Sequence, residues 1–337
     1  MAEPLRTISP RLNIFPEVES LNPSAREWRL HGALFLLTVV TTILAGIMLV
    51  APEPDINYPP LATPLDYLLY VPTVYLLSAI AIFRYVLLHP GLFTQGIAFS
   101  ASLLSILFSH EMGHYLACRY YKVNATLPYF IPAPPFFIAG TLGAFIKIRS
   151  PIPSRRALFD IGLAGPLAGF AVALPLAVVG ILNMQPAPPV AGYGIVFNDP
   201  LLFRLLARTM GVKLDPYSPI NPYYMAAWIG LLVTSLNLMP VGQLDGGHGV
   251  FAVFGQETHR IIGRVAFVTM GVLALLGFWW HHSPSGFLYA VLLGVMLRMQ
   301  HPQPRIMEPL GGKRVLVAIL TLIVFALCFW PFPITIS

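Results

Sequence analysis

A short motif places three ionisable side chains inside an apolar stretch. Residues 110–114 read His-Glu-Met-Gly-His and continue a hydrophobic segment, 93–118, that predicts one helix. His110 and His114 lie one turn apart, so both imidazoles face the same side and can reach one metal ion, with Glu111 beside them as a base. Zinc suits this pair. The chain's own histidine and glutamate frequencies would produce the pattern by chance with a probability of only about 0.6%.

Two buried histidines have an alternative explanation, which is hydrogen bonding to neighbouring helices. Ionisable groups at lipid depth are costly, however, and three of them together indicate a functional site. A hydrolytic zinc needs three protein ligands and one open position for water, so one ligand is still missing. Few acidic residues lie in or next to the apolar part of the chain, and the candidates are Asp160, Asp245 and Glu257.

Asp245 is the favoured third ligand. It follows Asn237 and Pro240 in a stretch where a proline and several glycines interrupt an apolar span. A broken helix at membrane depth frees backbone groups and turns a carboxylate inward. Asp160 instead stands just before an apolar run, where it is predicted to be the N-terminal cap of the next helix.

The composition is that of an integral membrane protein. Of 337 residues, 56% are hydrophobic and 10% are charged, whereas a soluble domain has about 25% charged residues. The mean hydropathy is +0.73. The net charge of +6 comes from loops beside apolar spans and not from a basic run, which argues against nucleic acid as a partner. Cys118 and Cys328 have no neighbouring thiol, so a cysteine zinc site is not expected.

Eight apolar stretches predict an α-helical, polytopic membrane protein with about six to eight transmembrane helices, since about 20 residues cross the hydrocarbon core. The fifth and seventh stretches are short or interrupted. The eight lie near residues 31–50, 67–88, 93–118, 157–182, 223–241, 262–280, 286–299 and 315–333.

Four regions follow from this pattern. We expect a soluble N-terminal segment at 1–30, peripheral transmembrane helices at 31–92, a catalytic core at 93–250 and C-terminal transmembrane helices at 251–337. The longest polar connection, 183–221, is about half the length of a PDZ domain, so no PDZ module is expected.

Basic residues cluster in two loops, and the positive-inside rule puts both loops in the cytoplasm. We therefore expect a multi-pass membrane protein with its active site nearer the cytoplasmic side. As a separate expectation, its membrane is a bacterial inner membrane. The acidic loop 51–66 leaves the direction of the first two spans open. The basic residues are Arg119, Lys122, Lys147, Arg149, Arg155 and Arg156 in the first loop and Arg298, Arg305, Lys313 and Arg314 in the second.

The segment 127–148 is apolar, but its prolines and glycines exclude a regular spanning helix. Non-helical backbone at membrane depth survives only when it is buried in protein or lines a cavity. We expect a re-entrant β-hairpin near the active site, with 138–149 as a short strand whose edge pairs with an unwound substrate. A plain surface loop is the alternative.

These residues resemble the site-2 protease family, the intramembrane zinc metalloproteases of peptidase family M50. The resemblance covers about 93–250, and the stretch 230–248 is most similar to the branch of plant chloroplast proteins deficient in ethylene-dependent gravitropism and their bacterial relatives. The matching elements are His-Glu-Met-Gly-His, the spacing of Asn237, Pro240 and Asp245-Gly246, the Gly140-Thr-Leu-Gly-Ala144 hairpin and Gly-Leu-Ala-Gly-Pro ending at Pro166.

The resemblance implies a protease that hydrolyses transmembrane protein substrates within the lipid bilayer. It makes His110, His114 and Asp245 the zinc ligands and Glu111 the general base. It also places Asn237 near the scissile carbonyl as an oxyanion donor, although this side chain could equally satisfy freed backbone groups. The predicted substrate-binding residues of the hairpin are Gly140, Thr141, Gly143 and Ala144.

Two other functions compete with the protease. Intramembrane histidines and aspartates also mark ion pathways, so a metal ion transporter is one alternative. A transport site, however, has no use for a non-ligand base such as Glu111 between two ligands. A catalytically inactive membrane scaffold is the other alternative, and the presence of every reactive position argues against it.

Overall fold

The computed structural model describes residues 23–51, 64–134, 137–186, 195–299 and 301–336. These ranges hold ten helices and four short strands. The helices are α1 (Ala25–Val50), α2 (Pro64–Leu88), α3 (Gly91–Tyr120), α4 (Arg155–Leu182), α5 (Leu201–Met210), α6 (Pro222–Asn237), α7 (Asp245–Phe254), α8 (Gln256–His281), α9 (Ser285–Arg298) and α10 (Gly312–Cys328). The strands are β1 (Tyr129–Pro132), β2 (Thr141–Phe145), β3 (Ile195–Phe197) and β4 (Ile334–Ile336).

The mainly helical architecture agrees with the sequence prediction, and each of the eight apolar stretches contains a helix. Within the part of the chain that the structure describes, four helices, α1, α3, α4 and α8, are long and apolar enough to cross a membrane. Most of the predicted soluble segment 1–30 and most of the acidic loop 51–66 lie outside the described residues.

The first helix begins earlier than predicted, at Ala25 and not near residue 31. Ser24 accepts a hydrogen bond from the Glu27 amide at 3.2 Å, and the Glu27 carboxylate accepts one from the Ser24 amide at 2.8 Å. This reciprocal pairing satisfies two amides that a helix start leaves free. The connection 183–221 also contains the unpredicted helix α5, which is anchored by buried Leu202 and Phe203.

Helix α3 lies at the centre and packs against α1, α4 and α6. Glycines allow α3 and α4 to approach closely. A Cβ at Gly113 of α3 would overlap the Ala164 carbonyl oxygen, and a Cβ at Gly165 of α4 would overlap the His114 ring. Small residues at helix contacts serve this purpose in membrane proteins. Here they also open the space that the His114 imidazole fills.

The segment after α3 forms a β-hairpin that packs against α1. Strands β1 and β2 are antiparallel, with Phe130 paired to Ala144 and a register shift before Pro132. His31 of α1 donates from Nδ1 to the Pro128 carbonyl oxygen at 2.9 Å. The predicted strand 138–149 was too long, because Gly140 has a φ of +66° and β2 covers only Thr141–Phe145.

Asp160 does not cap α4, and that prediction was wrong. Ser154 is the cap, and it accepts a hydrogen bond from the Ala157 amide at 3.2 Å. Because α4 already begins at Arg155, residue 160 lies in the second turn, beyond the free amides of a helix start. The Asp160 carboxylate instead accepts hydrogen bonds from Nε and Nη2 of Arg314 on α10, at 2.8 and 2.6 Å, and one from the Tyr121 hydroxyl.

We expect Asp160→Ala to destabilise the protein without removing metal from the candidate site. The substitution removes hydrogen bonds that join α4 to α10 and to the end of α3, and bonds to charged groups contribute about 1–3 kcal/mol. Denaturant titration in detergent micelles measures this loss. Glu257→Ala removes an exposed carboxylate and is the matched control. Loss of metal at unchanged stability would contradict the structural role of Asp160.

Candidate active site

Three side chains from two separate helices converge on one point. The His110 and His114 Nε2 atoms of α3 are 3.1 Å apart, and each lies 3.3 Å from Oδ2 of Asp245, the first residue of α7. A tetrahedral metal with ligands at about 2.0–2.1 Å would separate these atoms by about 3.3 Å. Among the described residues, this group alone has the composition and spacing of a metal site. The donor set therefore fits one metal ion.

The orientation of His114 is fixed by a neighbouring helix. Its Nδ1 donates a hydrogen bond to the Ile161 carbonyl oxygen of α4 at 2.7 Å. A histidine that donates from Nδ1 keeps its Nε2 lone pair for a metal. Both histidines are buried, and a Cβ added at Gly169 of α4 would crowd His110, at 3.2 Å from its Cβ.

Glu111 lies next to the three candidate ligands but outside their group. Its side chain is buried, and the backbone amide of Ile146, just after β2, faces its carboxylate. Both residues line the same cavity. Glu257, the remaining acidic candidate, is exposed in the first turn of α8 and lies outside the cavity.

The predicted break in the fifth apolar stretch is present and positions both Asn237 and Asp245. Helix α6 ends at Asn237, and α7 begins at Asp245. The turn between them needs glycine, because Gly242 has a φ of +56° and a Cβ at Gly246 would overlap the Leu238 carbonyl oxygen. The Asn237 amide nitrogen lies 3.1 Å from His110 Nε2. The two ends of the broken helix therefore both reach His110 Nε2.

A cavity of about 890 Å³ opens beside these residues. Of the four predicted substrate-binding residues, the structure brings Ala144 to the cavity wall. The Thr141 hydroxyl donates a hydrogen bond to the Ile131 carbonyl oxygen at 2.8 Å. Gly140 packs against the Thr41 backbone. Gly143 has a φ of +102° and open space beside it.

Sequence reasoning missed several lining residues. The wall continues through residues 145–148, at the end of β2 and just after it, and includes Gln243 and His248. The position of 145–148 within the predicted strand 138–149 was a usable signal. Gln243 lies in the turn between α6 and α7 and His248 lies at the start of α7, so only the fold brings these two residues to the cavity.

The model of peptidase family M50 matches residues 98–278 and thus contains all five predicted catalytic and ligand residues. The chain belongs to peptidase family M50. Among curated relatives of this M50 protein, "Probable zinc metalloprotease EGY1, chloroplastic" of Oryza sativa subsp. japonica is 36% identical over 182 residues, which are 52% of this chain and 31% of the relative.

Another M50 relative, "Probable zinc metalloprotease EGY2, chloroplastic" of Arabidopsis thaliana, is 28% identical over 98% of this chain and 53% of its own length. The chain thus spans about a third to about half of these two relatives. A solved structure, "Site-2 Protease from Methanocaldococcus jannaschii", is 16% identical, with a TM-score of 0.35, over 62% of this chain and 81% of that chain.

Metal analysis of purified variants tests the division of roles among these residues. We expect about one ion per chain in the wild type and in Glu111→Gln, because Glu111 lies beside the ligand set and not within it. His110→Ala, His114→Ala and Asp245→Ala should each lose most of the metal. Inductively coupled plasma mass spectrometry measures the content. Equal loss in Glu111→Gln would contradict this assignment.

Proposed function

We propose that this M50 protein is a zinc-dependent endopeptidase that cuts transmembrane protein substrates within the bilayer. The proposal rests on the triangle formed by His110, His114 and Asp245, whose nitrogen and oxygen atoms are spaced as they would be around a tetrahedral metal ion. Glu111 lies beside this triangle on the cavity wall. The relatives named as probable zinc metalloproteases support both the metal and the reaction class.

His110, His114 and Asp245 would hold the zinc ion. When bound, zinc supplies Lewis-acid polarisation of the carbonyl and a more acidic water. Glu111 takes the proton of the attacking water and passes it to the departing amine, which is the work of a general base and then a general acid. Asn237, at the end of α6, directs its amide toward the same point and would donate a hydrogen bond to the oxygen that gains charge.

The reaction would take place below the membrane surface. His110 precedes Arg119, near the end of α3, by nine residues, or about 13 Å along a helix. The cavity wall also includes Lys147, which offers a polar entrance for water. We infer that residues 93–250 form the catalytic core and that the hairpin is re-entrant. We also infer that the protein has about six to eight transmembrane spans and that its active site lies nearer the cytoplasmic side of the membrane.

The membrane compartment is a separate question. The sequence prediction of a bacterial inner membrane stays a prediction, and the curated relatives carry chloroplastic names. The metal ion transporter and the inactive scaffold have no observation in their favour. A buried carboxylate outside the ligand triangle suits proton transfer and has no role in ion passage.

Glu111→Gln tests the catalytic proposal directly. Removing a general base lowers the rate by about 10²–10⁴-fold, so membrane proteins cut by the wild type should accumulate uncut in cells carrying the variant. Quantitative membrane proteomics of matched strains identifies them. Metal content measured in parallel separates lost chemistry from lost folding. A variant that retains its metal and still cleaves at the wild-type rate would refute the role of Glu111.

Substrate recognition would use the strand edge beside the cavity. A helical substrate hides its carbonyls in hydrogen bonds, so it must unwind before attack, and an unwound segment can add to an exposed edge by β-pairing. Glycine and proline weaken a helix by about 1 and 3 kcal/mol. Helix breakers near the cleavage site of a substrate should therefore speed cutting, and leucine in their place should slow it.

On the enzyme, Gly143→Val tests the same idea. Valine has room at this position, but it cannot readily adopt a φ of +102°, so the backbone of β2 should distort. We expect kcat/KM for a transmembrane substrate to fall at least about tenfold with metal content unchanged. Leu142→Val, at the exposed neighbouring position of the strand, is the matched control. Unchanged cleavage by Gly143→Val would show that the hairpin is only structural.

A further inference from the structure

The cavity lined by His110, Glu111 and Asp245 is called the catalytic cavity below. A second cavity, of about 460 Å³, lies beside it. We call it the arginine cavity, because three arginines line it: Arg260 and Arg264 of α8, and Arg298 at the end of α9. None of these side chains forms an ion pair with another described residue. The described lining residues also include no acid. The cavity therefore concentrates unpaired positive charge.

A buried histidine adds hydrogen-bonding groups to this wall. His259 is 5% exposed; the Gly242 backbone, in the same wall, faces its ring, but neither ring nitrogen completes a hydrogen bond with a described residue. Leaving a buried polar group without a partner is unfavourable, because the group has given up its hydrogen bonds to water. Such a group in the wall of a polar cavity indicates a bound molecule that completes its hydrogen bonds.

The N-terminus of α8 also favours the binding of an anion in the arginine cavity. Gln256, its first residue, lines the cavity, and no side chain caps this helix. Uncapped amides and the helix dipole favour an anion at a helix start. Burial lowers the pKa of His301, also in the wall, to about 3. That ring is therefore neutral at physiological pH, and the positive charge comes from the arginines.

The surroundings identify the source of the anion. Arg260 and Arg264 are followed on α8 by exposed apolar side chains, Ile261, Val265 and Val268, in a helix long and apolar enough to span a membrane. Arginines at the end of such a helix lie at headgroup level, with acyl chains beside the apolar surface. A soluble phosphate ion would gain nothing from this apolar continuation.

We propose that the arginine cavity binds the phosphate group of an anionic phospholipid. The headgroup accepts hydrogen bonds from the three guanidinium groups and from His259, which is the geometry that arginine offers phosphate oxygens. This site lies outside the catalytic triangle and needs no proteolysis to operate.

The arginine cavity also shares structure with the catalytic one. Met299 and Gln303 line both cavities, and His301 Nε2 lies 2.8 Å from Nδ1 of His248, which faces the catalytic cavity. A headgroup bound in the arginine cavity therefore contacts a wall that also lines the catalytic cavity.

Native mass spectrometry of the full chain in neutral detergent tests the proposal, with phosphatidylglycerol, phosphatidylcholine and inorganic phosphate as separate probes. Wild type should retain phosphatidylglycerol in preference to phosphatidylcholine. In the double variant Arg260→Gln/Arg264→Gln, binding should weaken at least about tenfold, the change expected for losing one charge-assisted hydrogen bond.

The matched control is Arg26→Gln/Arg29→Gln, which removes the same charge from exposed positions at the start of α1. This end of α1 is joined to the loop after β2 by the ion pair of Glu27 and Arg149, so the control lies on the same side of the protein. Its binding should stay within about threefold of wild type.

Two further results decide the remaining cases. If the double variant is unstable, His259→Phe keeps an aromatic ring, removes both nitrogens and should still weaken phosphatidylglycerol binding. Equal loss in the control variant would show general surface attraction and overturn the site. Displacement of the lipid by millimolar inorganic phosphate would assign the cavity to free phosphate and overturn the lipid assignment.

Discussion

The close contact between α3 and α4 is the constraint on which the rest of the structure depends. Two imidazoles and one carboxylate are buried beside a second, partly buried carboxylate in an apolar protein, and each needs room and a partner. Gly165 supplies the room for His114, and the Ile161 carbonyl oxygen supplies the partner. A side chain at either glycine of this contact would push the helices apart and move His114 away from Asp245.

The break between α6 and α7 meets a different need. A continuous helix through 222–254 would carry Asn237 and Asp245 more than two turns apart along its axis. The glycine-dependent turn shortens that distance, so Asn237 and Asp245 both reach His110. One continuous helix, α3, thus supplies both histidines, and an interrupted helix supplies the groups that must approach from the other side.

The two cavities and the polar residues around them lie at one end of the helical core. The hairpin, the turn before α7 and the segment after α9 all border the catalytic cavity, and the last two also border the arginine cavity. Asp160, Tyr121 and Arg314 tie α10 to this end of the core. The apolar remainder faces outward, which suits a protein whose solvent is lipid.

The sequence alone determined the features that depend on short-range periodicity. Helical spacing placed His110, Glu111 and His114 on one turn of α3, and hydropathy located the eight helical stretches, because both follow from local geometry. Only the tertiary structure decided which carboxylate joins the histidines. Asp160 and Asp245 both lie in apolar surroundings, but Arg314, 154 residues further along the chain, pairs with Asp160, while a glycine turn brings Asp245 to α3. The short length of β2, the helix α5 and both cavities likewise depend on contacts between distant segments, which no local pattern encodes.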